Sequence, residues 1–129
     1  MRDYKNIKAF QYGDDLVIKV YQLTKSFPKE EIYGITSQLR RAATSVATNI
    51  AEGASRQHKR DYLHFLYISR ASLSEAGYLL HLSQRLGYVT KDEFEKIQVL
   101  KEETARTLHG LITAVERETS QTPGVLLGL

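Results

Sequence analysis

The sequence predicts an all-α protein, an antiparallel up-down-up-down bundle of four helices. Apolar residues recur at three- and four-residue intervals along nearly the whole chain, the spacing that lines one face of an α-helix. No sustained alternation of apolar and polar residues is bounded by hairpin turns. Breaks at Phe27-Pro28, Gly53 and Gly87 divide the chain into segments joined by short connections, and short connections return each helix beside its predecessor.

The first helix is expected over residues 9–26, with Phe10, Leu16, Val17, Val20, Leu23 and Phe27 along one side and Gly13 weakening its first turn. Phe27-Pro28 ends it, because the residue before proline is pushed out of the helical region. Pro28 suits the opening turn of the second helix, placed at 29–52, where Glu30 and Glu31 meet the positive end of the helix dipole. That helix turns Ile32, Ile35, Leu39, Ala42, Val46 and Ile50 inward. Ala43, Ser45, Ala47 and Ala51 widen the stripe with small residues, and Gly53 reads as a left-handed stop. The third helix, 55–86, buries Tyr62, Phe65, Leu66, Ser69, Leu73, Ala76, Leu80 and Leu86 before Gly87. Thr90 to Glu93 then form a capping box with Val89 and Phe94 in staple positions, and the fourth helix runs through Ile97, Leu100, Thr104, Leu108, Leu111 and Val115 to Glu118.

A chain of 129 residues makes one domain, a bundle over 1–118 followed by a tail over 119–129. The tail carries an apolar Val-Leu-Leu cluster and is either a disordered end or an arm that docks on a neighbouring subunit. With no cysteine there is no disulfide framework, thiolate metal site or thiol nucleophile. No signal peptide opens the sequence and no apolar stretch is long enough to span a membrane, so a cytoplasmic location is expected.

Enzymatic chemistry finds little to work with. Bundle metal sites need Glu-x-x-His pairs, and Glu52, Glu75 and Glu103 are followed three positions later by Ser55, Tyr78 and Arg106. His58, His64, His81 and His109 show no i, i+4 pairing, no phosphate-binding loop occurs, and neither Ser45 nor Ser55 has a base at a recognisable spacing. The expectation is a non-enzymatic protein with no cofactor and no metal.

Charge is distributed unevenly around a net value of +3. Ser37 to Arg60 carries five basic residues against Glu52 alone, whereas from Thr90 onward five basic residues face seven acidic ones. Arg40, Arg41, Arg56, Lys59 and Arg60 form a candidate cationic rim for RNA or DNA; a solvated charged face and a protein-interaction scaffold are the competing readings. Asn49 and Glu52 lie at or beside the inward stripe, as polar residues that fix helix register or as a site for acid–base chemistry. The eight tyrosines serve either packing at a core or interface edge or the stacking of bases.

The segment FPKEEIYGITSQLRRAATSVATNIAEGASR, followed by YLHFLYISRASLSEAGYLL and LGY, resembles the four-helix-bundle family of proteins encoded in intervening sequences of bacterial 23S rRNA genes. The accessory proteins of diversity-generating retroelements look similar too. The likeness runs from Phe10 to Val115 and is most specific at Asn49 to Gly53. It implies a small protomer assembled as a homo-oligomeric ring, commonly a pentamer, with a basic surface. For the retroelement branch it implies binding to nucleic acid and to a reverse transcriptase. Arg40, Arg41 and Arg56 fall on the family's RRA and GxxR positions, and Ala71 stands where many relatives have Gly. For most members no biochemical activity is assigned.

Overall fold

The structure, a computed structural model, describes residues 2–120. Among these there are four α-helices and no strand: α1 (Lys8–Thr24), α2 (Ile35–Ala54), α3 (Lys59–Arg85) and α4 (Lys91–Ser120). Short 3-10 turns at Tyr4–Asn6 and Lys29–Glu31 precede α1 and α2. Each helix packs on two others, α1 and α3 both lying against α2 and α4, so the four form a square bundle. Residue numbers run in opposite senses along each contact. Gly13 faces Val46 while Thr24 meets Arg40, and Gly53 faces Tyr62 while Ser45 meets Ser72. Likewise Tyr67 bonds Glu116 while Gly77 abuts Lys101. The segment 121–129, which includes the apolar cluster of the expected tail, lies outside the described residues.

The inward stripes are largely those the spacing predicts. Leu16, Val20, Leu39, Val46, Ile50, Leu66, Leu80 and Leu108 are completely or almost completely buried. On α4 the buried position is Ile112, with Leu111 only half-buried, because the stripe drifts by one residue over a helix this long. Leu86 and Ile32 are exposed, since both sit at connections rather than in the helices expected to carry them.

α1 ends at Thr24 and α3 begins at Lys59, two and four residues inside their expected bounds; both ends of α2 differ from expectation for physical reasons. After Pro28 the chain makes one 3-10 turn, and α2 starts only at Ile35, behind Gly34 with φ −110° and ψ −121°. Glu31 holds this elbow. One carboxylate oxygen lies 3.5 Å from the Ile35 amide at the start of α2, and the other accepts the Tyr88 hydroxyl at 2.7 Å from the α3–α4 connection. A Cβ on Gly34 would lie 2.6 Å from Glu31 Oε1, so a side chain there would displace that carboxylate from the elbow. The Tyr88 ring in turn packs on Phe27, with centroids 5.5 Å apart.

Gly53 is not a left-handed stop either. It sits buried inside α2, which ends one residue later, and among the described residues only Gly87 has a positive φ, +80°. A Cβ at position 53 would lie 2.9 Å from both Phe65 Cβ and Tyr62 Cδ1, so the glycine permits close approach of α3. Gly87 does close α3 in the left-handed conformation: its own N–H bonds Gln84 O and the Tyr88 N–H bonds Ser83 O. The α4 capping box forms as expected, Thr90 N–H donating to Glu93 Oε1 at 2.9 Å and Glu93 N–H to Thr90 Oγ1 at 3.1 Å. The helix then continues two residues beyond its expected end, to Ser120.

Gly53 and Gly110 predict opposite stability changes. Gly110, exposed on α4 with nothing within 4 Å of an added Cβ, should gain about 1 kcal/mol on replacement by Ala. Gly53→Ala should lose about 1–3 kcal/mol by overpacking the α2–α3 contact. Urea denaturation of both variants checks this.

The Tyr88–Glu31 bond also makes a pH prediction. The hydrogen bond to Glu31 raises the Tyr88 phenol above its usual value. Its contribution is thus complete below the unfolded phenol value of about 10 and is lost as pH rises through the raised one. Tyr88→Phe should melt below the parent at neutral pH, and the gap should close through the range where the phenol ionises.

Candidate nucleic-acid interface

The five candidate cations do not share one surface. Arg56, Lys59 and Arg60 gather at the corner where α2 gives way to α3, Arg56 in the connection and the other two in the first turn of α3. Arg40 and Arg41 lie on the first half of α2, and from Arg41 to Ala54 the helix rises about 20 Å.

At the corner the Arg56 guanidinium stacks over the Phe65 ring at 4.6 Å and lies 3.8 Å from the Glu52 carboxylate. Lys59 Nζ is 3.6 Å from Glu118. Both pairs are about half exposed and worth at most about 1 kcal/mol each, so an incoming phosphate can displace either carboxylate. Arg60 is exposed, and among the described residues no hydrogen bond or ion pair engages it. Arg2 joins the corner from the start of the chain, and no sequence spacing signals it. Its Nη1 donates to Arg56 O at 2.8 Å and to Ala54 O at 3.4 Å, carbonyls at the negative end of α2, while its guanidinium covers the Tyr62 ring at 4.4 Å. Burial raises the Tyr62 phenol, against the lowering effect of the Arg2 charge. Arg2, Ser55, Arg56 and Gln57 line a shallow surface depression here.

Arg40 is partly committed to the fold. Its Nε donates to Thr24 Oγ1 at 2.8 Å and its guanidinium stacks on Tyr21 at 4.7 Å, tying α2 to the last turn of α1. Arg41 points to solvent.

Asn49 and Glu52 part company. The half-buried Asn49 amide donates to Ser45 O at 2.8 Å and to Ser45 Oγ at 2.9 Å, and Ser45 Oγ lies 2.8 Å from Ser72 Oγ on α3. Asn49 therefore completes a polar chain across the α2–α3 seam. Glu52 instead faces solvent beside Arg56, so it forms no buried polar pair with Asn49. Among the described residues no group of His, Cys, Asp and Glu is arranged to hold a metal, and no helix is long and apolar enough to cross a membrane.

A square of four helices defines a small helical-bundle protein. The chain belongs to the 23S rRNA-intervening sequence protein family, whose sequence profile matches residues 5–110. It is similar to a protein of unknown function from the S23 ribosomal protein family of Bacteroides thetaiotaomicron, known from a crystal structure. The TM-score is 0.75 at 24% identity, over 81% of this chain and 95% of that one. At this identity the likeness concerns the fold. No curated protein matches the chain.

The separation of Asn49 from Glu52 predicts unequal effects. Asn49→Ala should cost about 1 kcal/mol by breaking the hydrogen-bond chain. Glu52→Ala should stay within about 0.5 kcal/mol of the parent, as for an exposed pair. Thermal melts of the two variants in parallel check it.

Proposed function

We propose that this protein is a non-enzymatic, cytoplasmic accessory factor that binds RNA or DNA through its basic surface. In this reading the protomer is an up-down-up-down bundle, a connection supported by the opposed numbering along its helix contacts, and it assembles as a homo-oligomeric ring, most simply a pentamer. The observation that carries the reading is the α2–α3 corner. Arg2 and Arg56 are held there by stacking, and Arg56 and Lys59 by weak surface pairs that phosphate can replace, with the exposed Arg60 next to Lys59 in the first turn of α3. Repeating such a corner around a ring turns weak contacts into useful affinity. If the gene belongs to a retroelement, a reverse transcriptase is the protein partner.

A second reading, a protein-interaction scaffold without nucleic-acid binding, is favoured by large apolar side chains left in solvent: Tyr33 at 96%, Val99 at 64% and Tyr78 at 60% exposure.

Replacing Arg56, Lys59 and Arg60 together with Ala separates the two. On duplex DNA the parent should bind with strong salt dependence and little sequence preference, and the triple variant should lower the salt slope by about 2 to 3 units. Light scattering should show the variant keeping the parent's oligomeric mass. Absence of binding by the parent to duplex DNA, single strands and structured RNA at low salt would transfer the function to the scaffold reading.

A further inference from the structure

The flank bearing Arg40 and Arg41 carries a second site, different in kind from the corner. A groove between α1 and the first half of α2 is lined by Tyr21, Ile32, Thr36, Ser37, Arg40 and Arg41, with no carboxylate among its lining residues. Stacking on Tyr21 and the bond from Nε to Thr24 fix the Arg40 guanidinium in place. Among the described residues no hydrogen bond or ion pair occupies its terminal amino groups or those of Arg41. The corner cations Arg56 and Lys59 are, by contrast, each within ion-pair distance of a carboxylate.

Two further observations point to an occupant. Thr36 is 2% exposed, and its hydroxyl has no hydrogen-bond partner in the protein. Buried hydroxyls are ordinarily paired, so this one is left with an unmet bond beneath the groove surface. Tyr33, the residue that follows the groove-lining Ile32 in the chain, is 96% exposed, an aromatic ring held in water on an elbow that Glu31 fixes from both sides.

We propose that this groove takes an unpaired nucleotide of RNA or DNA. Its phosphate lies on the guanidiniums of Arg40 and Arg41, its base on the Tyr33 ring, and its sugar or base edge toward the Ser37 hydroxyl. Cations that track a backbone beside an exposed aromatic are the parts of a single-strand site, because a base stacked inside a duplex cannot reach a protein ring. The proposal rests on the nucleic-acid reading above and adds that the flank selects unpaired strands while the corner holds backbone of any kind.

The test is fluorescence anisotropy with a labelled mixed-sequence oligonucleotide of about 12 nucleotides, as DNA and as RNA, and with its duplex. The proteins are the full-length parent, Tyr33→Ala, Arg41→Gln and the triple corner variant. Tyr33 and Arg41 are exposed, so both single variants should melt and assemble like the parent. Tyr33→Ala should weaken single-strand binding about ten-fold or more and leave duplex binding unchanged. Arg41→Gln should lower the single-strand salt slope by about 0.7. The corner variant should weaken duplex binding, with its salt slope lowered as above, and keep a measurable preference for the single strand. If the parent binds duplex and single strand but neither flank variant alters single-strand affinity, the groove proposal is overturned and the corner reading stands. If the parent binds no probe at low salt, both fall. A Tyr33→Ala variant that loses oligomeric mass with unchanged single-strand affinity also overturns the proposal, by assigning the ring to a contact between copies.

Discussion

Close approach of α2 and α3 is the constraint on which the rest of the structure depends. At Gly53 there is no room for a Cβ between the helix and the Tyr62 ring and Phe65 Cβ. About 10 to 12 Å nearer the middle of the bundle the same seam is closed by hydroxyls, Ser69 Oγ donating to the Val46 carbonyl at 2.8 Å and Ser45 meeting Ser72 at 2.8 Å. Small side chains bring the backbones together, and the polar groups so buried are satisfied across the seam. The position of the basic corner follows from this contact. Phe65, packed against Gly53, supplies the surface on which the Arg56 guanidinium rests, and Tyr62 supplies the one beneath Arg2.

The far end of the bundle is organised by an acid. Glu31 meets the exposed start of α2 with one oxygen and receives the Tyr88 hydroxyl with the other, so a single carboxylate links the α1–α2 and α3–α4 connections. Helix ends leave amides without intrahelical partners, and an anion there satisfies both the hydrogen bond and the dipole. The consequence for function lies in what the elbow displaces. With α2 beginning at Ile35 instead of Lys29, Ile32 leaves the helical stripe to stand half-exposed beside Arg40 and Arg41, and Tyr33 after it stands in solvent.

The two cationic surfaces are thus products of the two ends of α2. One is made by residues distant in sequence, Arg2 with Arg56 and Lys59 with Glu118. The other is made by neighbours on adjacent helices, Tyr21 and Thr24 fixing Arg40. Pairing with carboxylates keeps the corner cations exchangeable, whereas stacking and a neutral hydroxyl leave the full charge of Arg40 on the flank.

The sequence by itself determined the helical class, the number of helices and most of the buried faces, because these depend on periodicity and on local end signals such as the Thr90–Glu93 box. It also marked the basic residues as residues. Only the tertiary structure decided that Gly53 is a contact rather than a stop, that Glu31 governs where α2 begins, and that Asn49 and Glu52 face different surroundings. It likewise brought Arg2 into the corner and parted Arg40 and Arg41 from Arg56, Lys59 and Arg60. The physical reason is one of range. Propensity, capping and hydrophobic spacing act within a turn or two of helix, whereas close approach, stacking and charge pairing depend on which residue of another helix lies opposite, and that is decided only when the helices pack.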